Sequence, residues 1–207
     1  MFTKSTEIST VINDPIFQSW GKLIFPIHRH YMSGRTLGDL QLTYYNCIDP
    51  DKTVEICNYF KQQASNGKTV FYHIYSAEQM NRDPTKRNTG IFFFRGNPGQ
   101  EFAICNAGGA FAYVGAMHDS FPHALELSKM GFNAFALIYR PDWQLACEDL
   151  AQAITFIFEH QSELQVGTSC YSLWGGSAGG RMAAYLGTNG PAYYGGANLP
   201  RAGTCVI

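Results

Sequence analysis

The sequence predicts an α/β protein, a three-layer α/β/α sandwich with a mostly parallel sheet covered by helices on both faces. From residue 69 onward, short runs of β-branched and aromatic residues alternate with segments of helical periodicity. Strands that alternate with helices in this way form parallel sheets, because each helix carries the chain back to begin the next strand. The 207 residues, 45% of them hydrophobic, also suffice for one domain with a sizeable core.

We expect residues 1–68 to form an N-terminal extension packed on this core. We expect a short helix at 14–20 and a loop at 25–31. A longer helix is predicted at 53–65, where Val54, Cys57 and Phe60 recur at helical spacing before an Asn-Gly pair ends it.

We expect residues 69–207 to form the core itself, with a sheet that lacks the last strands of the complete fold. Strands are expected at 70–75, 90–94, 102–105, 134–139 and 171–174, and from 204 onward. Helices are expected at 121–129, 146–158 and 178–186. The polar stretch 78–88 contains Asp83-Pro84 and predicts an exposed connection.

The composition and charge argue against nucleic-acid binding and against a membrane protein. A net charge of -1 disfavours nucleic-acid binding, and no apolar run is long enough to cross a membrane or to resemble a signal peptide. We therefore expect a soluble, cytoplasmic protein. The six cysteines form no Cys-x-x-Cys pair, and Cys105, Cys170 and Cys205 lie in or beside apolar runs, so buried thiols are expected rather than disulfides or zinc ligands. No metal and no cofactor is predicted.

A Gly-x-Ser-x-Gly pattern at 175–179 identifies Ser177 as a candidate nucleophile. It stands between a strand-like run and a helical one, and in this setting a strand turns sharply into a helix with the serine exposed at the turn. The glycines are needed because a Cβ atom at Gly175 or Gly179 would collide with the neighbouring strand or helix. A glycine-rich turn without catalysis remains the alternative.

A second glycine pair follows the strand at 102–105. Backbone N–H groups are the usual stabilisers of the negative charge that develops on a carbonyl oxygen under attack, and Gly108-Gly109 lets such groups converge. This glycine pair is therefore a candidate oxyanion hole. The N–H of Ala178, at the start of the helix after Ser177, is the further donor.

These motifs resemble the α/β-hydrolase fold, in particular its esterase/lipase branch with a His-Gly-Gly-Gly-type oxyanion loop. The resemblance covers residues 69–207. Gly108, Gly109 and Ala110 fall on the three glycines of that loop, and Ala107 replaces its histidine. The resemblance implies the amides of Gly109 and Ala110 as donors, and a small acyl group, since the alanine methyl narrows the space.

Tyr139-Arg140-Pro141 and Glu148-Asp149 also match that branch. We expect these positions to be structural, with Arg140 paired to Asp149 or Glu148 near the edge of the sheet.

The resemblance further implies an Asp or Glu and then a His after the serine, but residues 178–207 contain no Asp, Glu or His. The sequence also stops within an apolar run, so we expect a C-terminally truncated chain. Upstream, His118 and Asp119 are the alternative candidates for a base and its partner. Without a base, the hydroxyl of Ser177 is a weak nucleophile.

The sequence therefore predicts a serine ester hydrolase, similar to carboxylesterases, that forms an acyl-enzyme on Ser177 and has little activity as this chain alone. A non-catalytic binding module on the same scaffold and a serine peptidase of the same fold are the alternatives. The expected partner is a small-molecule ester. Self-association through an exposed sheet edge is also predicted. Phe111, Tyr113 and Phe121 are candidates for the wall of an apolar pocket, although core packing explains them equally well.

Overall fold

A six-stranded mixed sheet forms the centre of the part of the protein that the computed structural model describes, residues 1–44 and 48–206. Its order is β3-β4-β6-β5-β7-β8, and β1 and β2 form a separate two-stranded ribbon. In chain order the strands are β1 (Met32–Ser33), β2 (Gln41–Leu42), β3 (Phe71–His73), β4 (Gly90–Phe94), β5 (Phe102–Asn106), β6 (Asn133–Ile138), β7 (Tyr171–Gly175) and β8 (Gly203–Val206).

The strands of the predicted core pair mostly in parallel. Strands β3 and β4 pair antiparallel, as do β4 and β6. The pairs β6–β5, β5–β7 and β7–β8 are parallel. The carboxyl ends of β5, β6 and β7 consequently meet at one edge of the sheet, where active sites of such sheets form. The predicted α/β architecture is confirmed.

The helices are α1 (Ile8–Ile12), α2 (Pro50–Ser65), α3 (Ala77–Arg82), α4 (Ser120–Lys129), α5 (Trp143–Glu159), α6 (Gln161–Leu164) and α7 (Ser177–Asn189). Local sequence explains where two of them begin. The carboxylate of Asp49 accepts hydrogen bonds from the first N–H groups of α2, and Pro50 takes the position where no donor is needed. Asp142 caps α5 in the same way. Within the described residues, no helix combines the length and apolar character that crossing a membrane requires.

Alternate phenylalanines of β4 point to opposite faces of the sheet and show which helices cover each face. Phe92 packs against Phe60 of α2 and Phe121 of α4, with ring centroids 4.9 and 5.0 Å apart. On the other face, Phe93 stacks on Phe135 of β6 at 4.4 Å. The same face carries Phe102, Tyr171 and the rings of α5, Phe156 and Phe158. The sheet is thus buried between two helical layers.

The N-terminal segment packs into the same core. Trp20 lies edge-on to Phe92, with ring centroids 5.6 Å apart, and Phe17 is fully buried. The helix expected at 14–20 is instead a single 3-10 turn at Pro15–Phe17, because Gln18 has a φ of 49° that ends the helical conformation. Helix α1 at Ile8–Ile12 was not predicted.

The stretch 78–88 is the predicted exposed connection, between β3 and β4, but it is not a loop, since α3 and a 3-10 turn at Pro84–Asn88 occupy it. Ser76 and Gln79 form a reciprocal capping box that starts α3, and this Ser-x-x-Gln signal was present in the sequence. Cys170, expected to be buried, is exposed, whereas Cys57, Cys105 and Cys147 are buried. Cys47 lies outside the described residues, and the side chain of Cys205 does as well.

Candidate active site

Ser177 lies at the turn between strand β7 and helix α7. Its φ of 51° is in the left-handed region, which a residue with a Cβ atom adopts at a cost of about 1–3 kcal/mol. The residue is exposed, although Gly175 and Ala178 on either side are buried. The predicted strained turn, with the serine presented to solvent at the carboxyl edge of the sheet, is therefore present.

The two glycines of the motif allow α7 to lie directly against the sheet. A Cβ atom on Gly175 would overlap the carbonyl group of Gly179 and lie 2.6 Å from the nitrogen of Gly180. A Cβ atom on Gly179 would overlap the carbonyl group of Asn106, at the end of β5. A side chain at either position would therefore collide, as predicted. Because glycine has no side chain, the serine turn packs directly against the loop that follows β5.

That loop turns sharply through three residues with positive φ. The φ angles of Gly109, Ala110 and Phe111 are 134°, 55° and 55°. Gly109 cannot be replaced without movement, because a Cβ atom there would overlap the carbonyl oxygen of Tyr113. Within the described residues, the N–H groups of Gly109, Ala110 and Ala178 donate no hydrogen bond. These are the donors that the sequence predicts for an oxyanion hole.

The N–H of Gly108 has a different role from those of Gly109 and Ala110. It donates to the carboxylate of Asp119, with 2.7 Å between nitrogen and Oδ2. The same carboxylate oxygen lies 3.0 Å from the position that a Cβ atom on Gly176 would take. The nearly buried Asp119 thus bonds to the glycine loop and lies against the serine turn, so it holds the two together. The sequence suggested Asp119 only as a partner of His118, so this role was missed.

The hydroxyl of Ser177 forms no hydrogen bond with any residue that the structure describes. His118, the upstream candidate base, is half-buried. Burial lowers the pKa of its imidazole and the nearby His123 adds to this effect, while the charge of Asp119 opposes it. The net lowering favours a neutral imidazole at pH 7. The structure does not bring His118 into hydrogen-bonding contact with Ser177.

Tyr139 and Arg140, at the end of β6, are structural. The hydroxyl of Tyr139 donates to the carbonyl oxygen of Ala107 at 2.7 Å and fixes the start of the glycine loop. Arg140 donates to the buried carboxylate of Asp149, with Nη2 2.7 Å from Oδ1, as predicted. Tyr75 donates to the same carboxylate at 2.5 Å. Burial opposes the charge of Arg140, but its hydrogen bonds with Asp149 raise the guanidinium pKa.

The three aromatic residues predicted as candidates for a pocket wall have different environments in the structure. Phe121 is fully buried against Phe60 and Phe92 and belongs to the core. Tyr113 stacks on Tyr31, with ring centroids 4.7 Å apart, and donates to the carbonyl oxygen of Thr43. Phe111 is half-buried.

A small apolar cavity of about 50 Å³ lies beside the glycine loop. The loop contributes Tyr113 and Val114 to its wall, and the N-terminal segment contributes Phe25 and Pro26. The N-terminal segment thus lies against the loop that follows β5.

Comparison with known proteins identifies the fold. A family model described as BD-FAE matches residues 99–193, less than half of the chain. The acetyl ester-xyloside bifunctional hydrolase from Caldicellulosiruptor lactoaceticus superposes with a TM-score of 0.51 and 21% identity, over 57% of this chain and 46% of that one. Esterase B from Lactobacillus rhamnosis HN001 superposes with a TM-score of 0.52 and 14% identity, over 76% of this chain and 56% of that one.

The chain therefore has an α/β/α fold of the α/β-hydrolase type, the class that its sheet and serine turn also define. It spans about half the length of these two hydrolases. The region matched by the BD-FAE model contains the glycine loop and Ser177. No curated protein sequence matches the chain.

Replacing Asp119 tests whether its carboxylate holds the glycine loop. Asp119→Ala removes the acceptor of the Gly108 N–H, so we expect hydrogen exchange at that amide to accelerate by about ten- to a hundredfold, the range of a charge-assisted hydrogen bond. Asp119→Asn keeps an oxygen acceptor and should give a smaller effect. Exchange measured by NMR resolves the single amide.

Asp142→Ala is the matched control, because Asp142 accepts from Leu145 at the start of α5. This variant should accelerate exchange at Leu145 and leave Gly108 unchanged. Unaltered exchange at Gly108 in Asp119→Ala would contradict the assigned role of Asp119.

Proposed function

We propose that this chain contributes the nucleophile and oxyanion hole of a serine ester hydrolase, similar to carboxylesterases and lipases. The observation that carries the proposal is the position of Ser177, exposed at left-handed φ beside three amides without an acceptor among the described residues. The folds shared with an acetyl ester-xyloside hydrolase and an esterase support the same class. Its substrates are small carboxylic esters.

In the proposed reaction, the Ser177 hydroxyl oxygen attacks the carbonyl carbon of the ester. The carbonyl oxygen becomes an oxyanion, which accepts hydrogen bonds from the amides of Gly109, Ala110 and Ala178. Gly108 contributes by shaping the hole, since its own N–H is directed at Asp119. Collapse of the intermediate breaks the bond to the alcohol, which leaves with the serine proton. Water then hydrolyses the acyl-enzyme to the carboxylic acid and restores Ser177.

The proton transfers need a general base, and the described residues place none on Ser177. We therefore propose that this chain alone has low turnover, with its oxyanion hole formed. A non-catalytic binding role on the same scaffold is the second candidate, favoured by the absence of a hydrogen-bond partner for the Ser177 hydroxyl within the described residues.

We also propose that residues 1–68 serve as an extension packed on the core at 69–207. The cavity shared by Phe25, Pro26 and Tyr113 supports this packing, because residues of the extension and of the loop after β5 line it together. Within that arrangement the methyl group of Ala110 favours a small acyl group.

Acylation of Ser177 tests the proposed function. The protein is incubated with p-nitrophenyl acetate, with and without imidazole as an external base, and acetylated serines are identified by peptide mapping. We expect turnover near the uncatalysed rate without imidazole. With imidazole, we expect acetylation of Ser177 to exceed that of Ser162, an exposed serine on α6 that serves as the internal control.

Equal acetylation of Ser177 and Ser162 would contradict a prepared nucleophile and favour the binding role. Fast turnover without imidazole that Ser177→Ala abolishes would confirm the nucleophile and contradict the low activity. Comparing the ester with the matching peptide amide separates an esterase from a peptidase.

Self-association through strand β8 is a separate proposal. In the described residues β8 pairs with β7 and stands last in the sheet order, so its other side presents unpaired backbone N–H and C=O groups. We expect the mass measured by light scattering to rise with protein concentration. A constant monomer mass would overturn this proposal without affecting the one for Ser177.

A further inference from the structure

Helix α7 carries one arginine close in sequence to the candidate nucleophile. Arg181 follows Ser177 by four residues, within the second turn of the helix. Both residues are exposed, as is Tyr185, one further turn along the same face. Arg181 and Tyr185 share one exposed face of α7, in the helix that begins at Ser177.

Two aromatic rings fix the position of the Arg181 guanidinium. Its central carbon lies 4.7 Å from the ring centroid of Trp143 and 5.8 Å from that of Tyr185. The two rings are nearly perpendicular, at 82°, with centroids 4.9 Å apart. Cation–π contact of this kind restrains the guanidinium, whose N–H groups can still donate to an acceptor.

The same aromatic cluster reaches the oxyanion loop. The ring of Trp143 lies edge-on to Phe111, with centroids 5.4 Å apart, and Phe111 directly follows Ala110 in the loop. The cluster of Phe111, Trp143, Tyr185 and Arg181 thus joins the oxyanion loop to α7.

Arg181 has no carboxylate partner among the residues that the structure describes. The other site arginine, Arg140, is bound to Asp149 with its Nη2 2.7 Å from the carboxylate and is nearly buried. In contrast, Arg181 forms no ion pair and no hydrogen bond within the described part of the chain. An exposed, fixed guanidinium with free N–H groups is suited to binding a carboxylate in two parallel hydrogen bonds.

We propose that Arg181 determines substrate specificity by binding a carboxylate group of the ester substrate, one helical turn from Ser177. This inference rests on the proposed function, because it places the ester carbonyl at Ser177. The preferred substrates are esters that carry a second, ionised carboxyl group. The aromatic rings of Trp143 and Tyr185 would pack against the part of the substrate that joins that group to the ester.

Ligand binding tests the role of Arg181 without requiring turnover. We would titrate the protein with 4-acetamidobenzoate and 4-acetamidobenzamide by calorimetry, since these unreactive amides have the shape of an aryl acetate and differ in the charged group. The protein should prefer the benzoate. Arg181→Met should weaken benzoate binding by about ten- to a hundredfold, the range of a charge-assisted hydrogen bond, and leave benzamide binding unchanged.

Three further variants separate the possible causes. Arg181→Lys should keep part of the preference, because it retains the charge but not the planar pair of donors. Arg82→Met removes an exposed arginine that pairs with Glu78 on α3 and should have no effect. Ser177→Ala should keep the preference for the benzoate, so that failure of the serine chemistry leaves this result interpretable.

Equal affinity for the two ligands, including failure of both to bind, would overturn the proposal. It would also be overturned by an Arg181→Met protein that retains the preference, or by an equal loss in Arg82→Met. If the preference for the benzoate is confirmed while Ser177 proves unreactive, Arg181 is an anion-binding residue of a non-catalytic protein.

Discussion

The close approach of helix α7 to the end of strand β5 is the constraint on which the candidate site depends. Gly179 lies so near the carbonyl group of Asn106 that no side chain fits between them. This contact places the first turn of α7 against the residues that begin the glycine loop. The strained serine turn and the strained loop are therefore parts of one packing arrangement, and a change in either would move the other.

Three residues with a Cβ atom hold left-handed backbone angles in this small region, namely Ser177, Ala110 and Phe111. Such angles cost about 1–3 kcal/mol each and persist only where the surroundings impose them. Here the surroundings are the glycine contacts, the bond from Gly108 to Asp119 and the bond from Tyr139 to Ala107. Strain concentrated around one exposed serine is characteristic of sites that are organised before substrate binds.

Much of this arrangement could be predicted from the sequence, because its signals are local. The apolar run of β4 at 90–94 and the Gly-x-Ser-x-Gly turn are contiguous patterns, and the structure has both. The pairing of Arg140 with Asp149 was also expected, although only through a family resemblance. The capping box of α3 is equally local, and the Asp83-Pro84 pair that is typical of a loop starts the 3-10 turn after this helix.

The remaining features depend on long-range packing and leave no pattern in the sequence. Nothing near Gly108 indicates that the carboxylate of Asp119 would accept its N–H, because the intervening residues must first fold back. The contact of Arg181 with Trp143 likewise requires the helices α5 and α7 to pack side by side. The exposure of Cys170 could not be predicted either. Its apolar neighbours suggest burial, but it lies just before β7, where its side chain is exposed.

The most direct test of the account is a crystal structure of the protein after reaction of Ser177 with a fluorophosphonate in the presence of imidazole. The phosphoryl oxygen of the adduct stands in for the oxyanion. We expect this oxygen to lie about 2.7–3.1 Å from the amide nitrogens of Gly109, Ala110 and Ala178, the distance that oxyanion donors require. A phosphoryl oxygen that faces solvent, or labelling of other serines in place of Ser177, would contradict it.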